Sequence, residues 1–97
     1  MNEQFIPLSD GNELQLRSLG NGDRELIILH GWTGNSEDWR PIMERLAETY
    51  TCLSWDQRPY FTRDAGIEKM ADDVQQVIAS ACKSKPVLLG HSMGAVV

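Results

Sequence analysis

Three short apolar runs separated by two helix-length stretches constrain this 97-residue chain more than any other feature. Leu26-Ile27-Ile28-Leu29 is unbroken by polar residues, too short for a helix and without the alternation of a half-exposed strand, so it predicts a strand buried on both faces. "CLSW" at 52-55 and "VLLG" at 87-90 resemble it. Between the runs, Trp39, Ile42, Met43 and Leu46 fall at i, i+3, i+4 and i+7, which puts them on one helical face. Ile67, Met70, Ala71, Val74, Val77, Ile78 and Ala81 sustain the same spacing. Strands that alternate with helices require crossover connections and a parallel sheet covered on both faces. The chain is therefore expected to be α/β.

Smaller signals fill in the order. Residues 3-8 and 12-19, with Leu14 and Leu16 alternating with polar neighbours and "SDGN" between, predict a solvent-facing antiparallel hairpin ahead of the first buried strand. Asp38 or Ser36 can cap the first helix, and with Asp38 as cap Pro41 lies in the first turn, where its missing N–H costs little. Glu68, Lys69, Asp72, Asp73 and Gln76 form the expected solvated side of the second helix, so Asp72 and Asp73 are not read as a paired acid site.

Charge and composition exclude several function classes. The net charge of −5, spread along the chain without a basic stripe, argues against a nucleic-acid surface. No run of about 18 apolar residues and no signal-type N-terminus is present, so neither a membrane span nor export is expected, and a cytoplasmic location is. Cys52 and Cys82 have no metal-ligand spacing and are expected to be reduced and structural.

Gly90-His91-Ser92-Met93-Gly94 follows the last apolar strand and precedes helix-compatible residues, the arrangement of a nucleophile elbow. A sharp strand-to-helix turn lifts the serine hydroxyl above the sheet in a strained backbone conformation. Side chains at positions 90 and 94 would collide as strand and helix close up. A hydrolytic serine also needs donors aimed at the oxygen that turns negative in the tetrahedral state. The first buried strand runs into His30-Gly31-Trp32, where Gly31 lets the backbone turn so that the next peptide N–H can face the serine. The candidate pair of donors is the backbone N–H of Trp32 and that of Met93.

"LHGWTGNSEDW", "DQR" and "GHSMG", in this order and spacing, resemble the N-terminal half of the α/β-hydrolase fold family, specifically its esterase and carboxylesterase-like serine hydrolases. The resemblance runs from about residue 24 to the end. It implies an antiparallel hairpin followed by parallel strands with crossover helices, Ser92 as nucleophile, Trp32 and Met93 as oxyanion donors, and His30-Gly31 with Gly90 and Gly94 as organisers of the two loops. It further implies a small-molecule ester-like substrate, cleaved without cofactor or metal. Where the family has Asp-x-x-Gly-x-Gly-x-Ser, this chain has Asp56-Gln57-Arg58-Pro59-Tyr60-Phe61-Thr62, so both glycines of that loop are absent.

Other polar residues are assigned supporting roles. His91 adjoins Ser92 on a tight turn, where neighbours project in different directions, so it is not the expected base. His30 is expected to be a hydrogen-bonding residue of its loop, and Asp56 to fix the loop after it. Trp39 and Trp55 are expected in the core, and the Trp32 side chain against substrate. In the family the triad runs Ser, then Asp or Glu, then His, with the last two after the elbow. Because nothing follows Val97, residues 1-97 are expected to be a partial domain truncated just after the elbow, with the "VLL" strand an unpaired edge and the last helix barely one turn long. The alternatives are a catalytically incomplete fragment or a non-catalytic interaction protein that pairs through its sheet edge. Within enzymes, Ser92 in place of an acidic nucleophile counts against dehalogenase and epoxide-hydrolase chemistry.

Overall fold

Strand β3 (Arg24–Leu29) is the element around which the others assemble. The computed structural model describes residues 1–31, 34–57 and 66–97, with the backbone alone for Met93 and Val96. Leu26, Ile27, Ile28 and Leu29 are all buried, and alternate side chains leave β3 in opposite directions. Leu26 and Ile28 join Met43 and Cys52 on one face, while Ile27 and Leu29 join Leu53, Trp55, Val74 and Val77 on the other. An unbroken apolar run is what a strand serving two cores needs.

The described elements follow the expected order. β1 (Asn2–Pro7) and β2 (Glu13–Leu19) pair antiparallel, with Ile6 opposite Leu14 and Gln4 opposite Leu16. β4 (Tyr50–Ser54) pairs antiparallel with β2 and parallel with β3, and β5 (Val87–Gly90) pairs parallel with β3, giving the sheet order β1-β2-β4-β3-β5. The hairpin is not wholly solvent-facing. Ile6, Leu8, Leu14 and Leu16 are buried in the same cluster as Ile27, Leu29, Val74 and Val77, which covers that face of the hairpin.

The first helical segment starts differently from the expectation. A 3-10 turn (Ser36–Trp39) precedes α1 (Arg40–Leu46), and the cap is Asn35. Asn35 Oδ1 accepts from the Asp38 N–H and Asp38 Oδ2 accepts from the Asn35 N–H, both at 3.2 Å, closing a reciprocal capping box. Ser36 cannot cap because its hydroxyl is held by Asp56. Pro41 does lie in the first turn of α1. Met43 is fully buried, and Trp39 and Leu46 pack against the same cluster, whereas Ile42 is 41% exposed and leaves the predicted stripe.

α2 (Ile67–Ala81) buries Met70, Val74 and Val77 against the opposite sheet face. Asp73 departs from the solvated side assigned to it and is buried, since it lies three residues after Met70 and four before Val77, on the flank of their stripe. The buried Glu25 carboxylate accepts the backbone N–H of Lys83 at 3.1 and 3.0 Å and that of Ser84 at 3.4 Å, tying the α2–β5 connection to the start of β3. β5 is not buried on both faces as its composition predicts. It is paired on one side only among the described residues, and Val87 and Leu88 are exposed. The four-residue α3 (Met93–Val96) follows it.

Because Met43 is fully buried and Ile42 is not, Met43→Ala is expected to cost about 2–5 kcal/mol of unfolding free energy. Ile42→Ala should cost no more than about 0.5 kcal/mol. Urea denaturation of the two variants checks this, and equal losses would contradict the assigned facing of α1.

Candidate active site

The corner between β5 and α3 is built by backbone crowding. A β-carbon at Gly90 would lie 2.6 Å from the Gly94 carbonyl oxygen, and one at Gly94 would lie 2.1 Å from the Leu29 carbonyl oxygen. Strand, helix and the end of β3 therefore meet at distances only glycine permits. The turn is pinned by the His91 N–H donating to Leu29 O at 3.0 Å, the Gly94 N–H to His91 O at 2.9 Å and the Ala95 N–H to Ser92 O at 3.0 Å. Ser92 sits at its apex with φ 55°, the single non-glycine residue of positive φ among those described. Left-handed backbone at a serine is held against a cost of roughly 1–3 kcal/mol, which a surrounding structure must supply.

The loop leaving β3 reaches the same place. A β-carbon at Gly31 would lie 3.5 Å from Ser92 Cβ and 3.2 Å from His91 Nδ1, so any side chain at position 31 would touch the elbow and the loop passes beside the serine. His30 is buried beneath this loop. The Gln57 backbone N–H, which can only donate, lies 2.8 Å from His30 Nε2. Nε2 is thus the acceptor, and Nδ1 carries the proton that it donates to Gly31 O at 2.6 Å. Gln57 Nε2–H also donates to His30 O at 2.9 Å. Trp32, the expected oxyanion donor, and Arg58 to Thr62, where the family's glycines are missing, lie outside the described residues.

Asp56 secures the loop before the first helix, while residues 58–65 of the loop after it, which it is expected to fix, lie outside the described residues. Its Oδ1 accepts both the Ser36 N–H and the Ser36 hydroxyl at 2.7 Å. Burial alone would raise its carboxyl, but the two Ser36 bonds and the nearby Arg17 charge outweigh that and hold it below the ordinary aspartate range. Arg17, on β2, also pairs with Glu37 of the 3-10 turn. The turn is thereby fastened to two strands.

A cavity of about 490 Å³ opens between the β3 loop, α1 and the elbow, with Ser92, Gly31, Trp39, Ile42 and Asp38 among its walls. His91 also lines it, its ring edge-on to Trp39 with centroids 5.6 Å apart. The Ser92 hydroxyl has no hydrogen-bond partner among the described residues. Neither cysteine competes as a nucleophile. Burial raises the Cys52 thiol, and burial with the Glu25 charge pushes Cys82 up to about 11, so both stay protonated at neutral pH.

Of the predicted site residues, Ser92, Gly31, Gly90 and Gly94 come together with the Met93 backbone, and His30 lies directly beneath them. Gln57 was not among the expected site residues. Its sequence signal is its place in the "DQR" after the second apolar strand, to which no role was attached.

Residues 25–97 match the family model described as alpha/beta hydrolase fold, and the chain belongs to that family. It is 34% identical over 87 residues to a 2-(acetamidomethylene)succinate hydrolase of Mesorhizobium japonicum, an alignment covering 84% of this chain and 31% of that protein. It is 34% identical over 91 residues to a pimeloyl-[acyl-carrier protein] methyl ester esterase of Proteus mirabilis, covering 89% of this chain and 33% of that one. Among solved structures, an epoxide hydrolase from Vigna radiata superposes with a TM-score of 0.86 at 20% identity over 99% of this chain and 33% of its own, a likeness of fold. The chain thus spans about a third of the length of these proteins.

Because the Asp56 carboxyl is held below its ordinary value of about 3.9, its contribution to stability is present above that pH and is lost as the pH falls through the lower folded-state value. Wild type is therefore expected to be more stable than Asp56→Asn at pH 7, with the gap closing progressively below about pH 4. Denaturation midpoints across that range check this; a gap unchanged from pH 7 to pH 3 would contradict it.

Proposed function

We propose that the protein is a serine hydrolase that cleaves an ester-like bond of a small-molecule substrate through an acyl-enzyme on Ser92. The observation that carries this reading is the position of Ser92. It is exposed at a strained corner at the carboxyl end of the sheet, beside the Gly31 loop and open to a cavity. Ligands of open α/β sheets bind at the carboxyl ends of the strands. The hydrolase and esterase names of the Mesorhizobium japonicum and Proteus mirabilis relatives support hydrolysis and an ester-like bond.

In this mechanism Ser92 Oγ adds to the substrate carbonyl carbon while its proton passes to a base. The tetrahedral oxyanion is met by the N–H groups of Trp32 and Met93, and collapse expels the alcohol, which takes the proton back from the base, and leaves the acyl group on Oγ. Water, deprotonated by the freed base, then adds to the acyl carbon, and the second collapse releases the acid as the base returns the proton to Ser92 Oγ. Neither described histidine is placed to be that base: His30 has both ring nitrogens engaged by Gly31 and Gln57, and the His91 ring lies against Trp39 and faces Gly31. The base and the acid that orients it are assigned to a part of the protein beyond this stretch, in the family's chain order.

A fluorophosphonate probe applied to the full-length protein is expected to form an adduct on Ser92. Ser92→Ala should abolish labelling and lower ester hydrolysis by about 10³-fold or more. Equal labelling of wild type and Ser92→Ala would remove the assignment.

A further inference from the structure

Gln57 is 9% exposed, and its backbone and side chain both act on a single residue 27 positions earlier. Its main-chain N–H fixes which nitrogen of His30 is bare, and its amide N–H fixes the His30 carbonyl. The remaining amide atom, Oε1, is buried with no hydrogen-bond partner among the described residues. Buried acceptors are rarely left so. A side chain that leaves one acceptor unmet in order to place a donor on His30 is arranged around His30, not around its own satisfaction.

The consequence reaches the reactive corner in one further bond. His30, held in the Nδ1–H form, donates to Gly31 O, which also accepts the Gly34 N–H at 3.1 Å. A trans peptide carries its N–H opposite its carbonyl, so anchoring a carbonyl sets the direction in which the following N–H is offered. We infer that Gln57 is a positioning residue for the loop leaving β3: by clamping His30 it holds the Gly31 carbonyl, and with it the start of the loop to which the serine-hydrolase reading assigns an oxyanion donor. This rests on the serine-hydrolase reading above. Gln57 itself touches no reacting atom.

Gln57→Met tests the inference in the full-length protein, because it keeps side-chain length and the main-chain N–H to His30 while removing the amide bond to His30 O. With p-nitrophenyl butyrate as probe, kcat is expected to fall about 10- to 100-fold. KM should change less than about threefold, and inhibition by a trifluoromethyl ketone that mimics the tetrahedral state should weaken by the same factor as kcat/KM. A residue of purely structural value would instead lower the melting temperature and leave kcat of the folded fraction intact. Ser92→Ala run in parallel separates the two claims. Without Ser92-dependent turnover in wild type, both fall; with it, a wild-type kcat in Gln57→Met overturns the Gln57 assignment alone. Should that variant fail to fold, ¹⁵N NMR of the wild-type imidazoles decides, a protonated Nδ1 at His30 supporting the clamp and a protonated Nε2 overturning it.

Discussion

The approach of Gly94 to the carbonyl of Leu29 is the contact on which the rest of the site depends. A β-carbon there would sit 2.1 Å from that oxygen, well inside any permissible distance, so the first turn of α3 rests directly on the end of β3. That seat brings the Ser92 corner and the Gly31 loop to one point, since the loop begins where the supporting carbonyl ends. The same carbonyl accepts the His91 N–H, so one peptide of β3 both orients the elbow and limits how far it can move. β3 can serve as this anchor because it is buried on both faces, fixed by α1 packing through Met43 and by α2 packing through Val74 and Val77.

Around this rigid centre the polar groups act as fasteners. Asp56 and Arg17 fix the 3-10 turn, Glu25 fixes the α2–β5 connection, and Gln57 fixes His30. Each ties together segments distant in sequence: Asp56, Glu25 and Gln57 do so by meeting backbone groups that would otherwise need water, and Arg17 by pairing with the Glu37 carboxylate. The acidic residues serve partly in this way: Asp56, Glu25 and Asp38 are acceptors of structural hydrogen bonds.

What could be read from the amino-acid order is what depends on neighbours in the chain. The two-faced burial of Leu26 to Leu29, the helical stripe of α2 and the crowding at Gly90 and Gly94 follow from periodicity and local sterics. What could not be read depends on partners supplied by the fold. The cap at Asn35 displaces Ser36 because Asp56, 20 residues away, takes the Ser36 hydroxyl. Val87 and Leu88 look like Leu26 and Ile27 in composition but are exposed; the run alone misleads, whereas the order of elements gives β5 as the unpaired edge that it is among the described residues. Ile42 turns out of its stripe toward the cavity, and the Gln57–His30 clamp spans 27 residues with no local signature.

The most direct test of this account is Gly94→Ala in the full-length protein, assayed for Ser92-dependent ester hydrolysis. The added methyl must push α3 off the end of β3 and carry the serine away from the Gly31 loop, so a loss of about 100-fold or more in turnover is predicted. Wild-type turnover in a normally folded Gly94→Ala protein would show that this contact does not set the site.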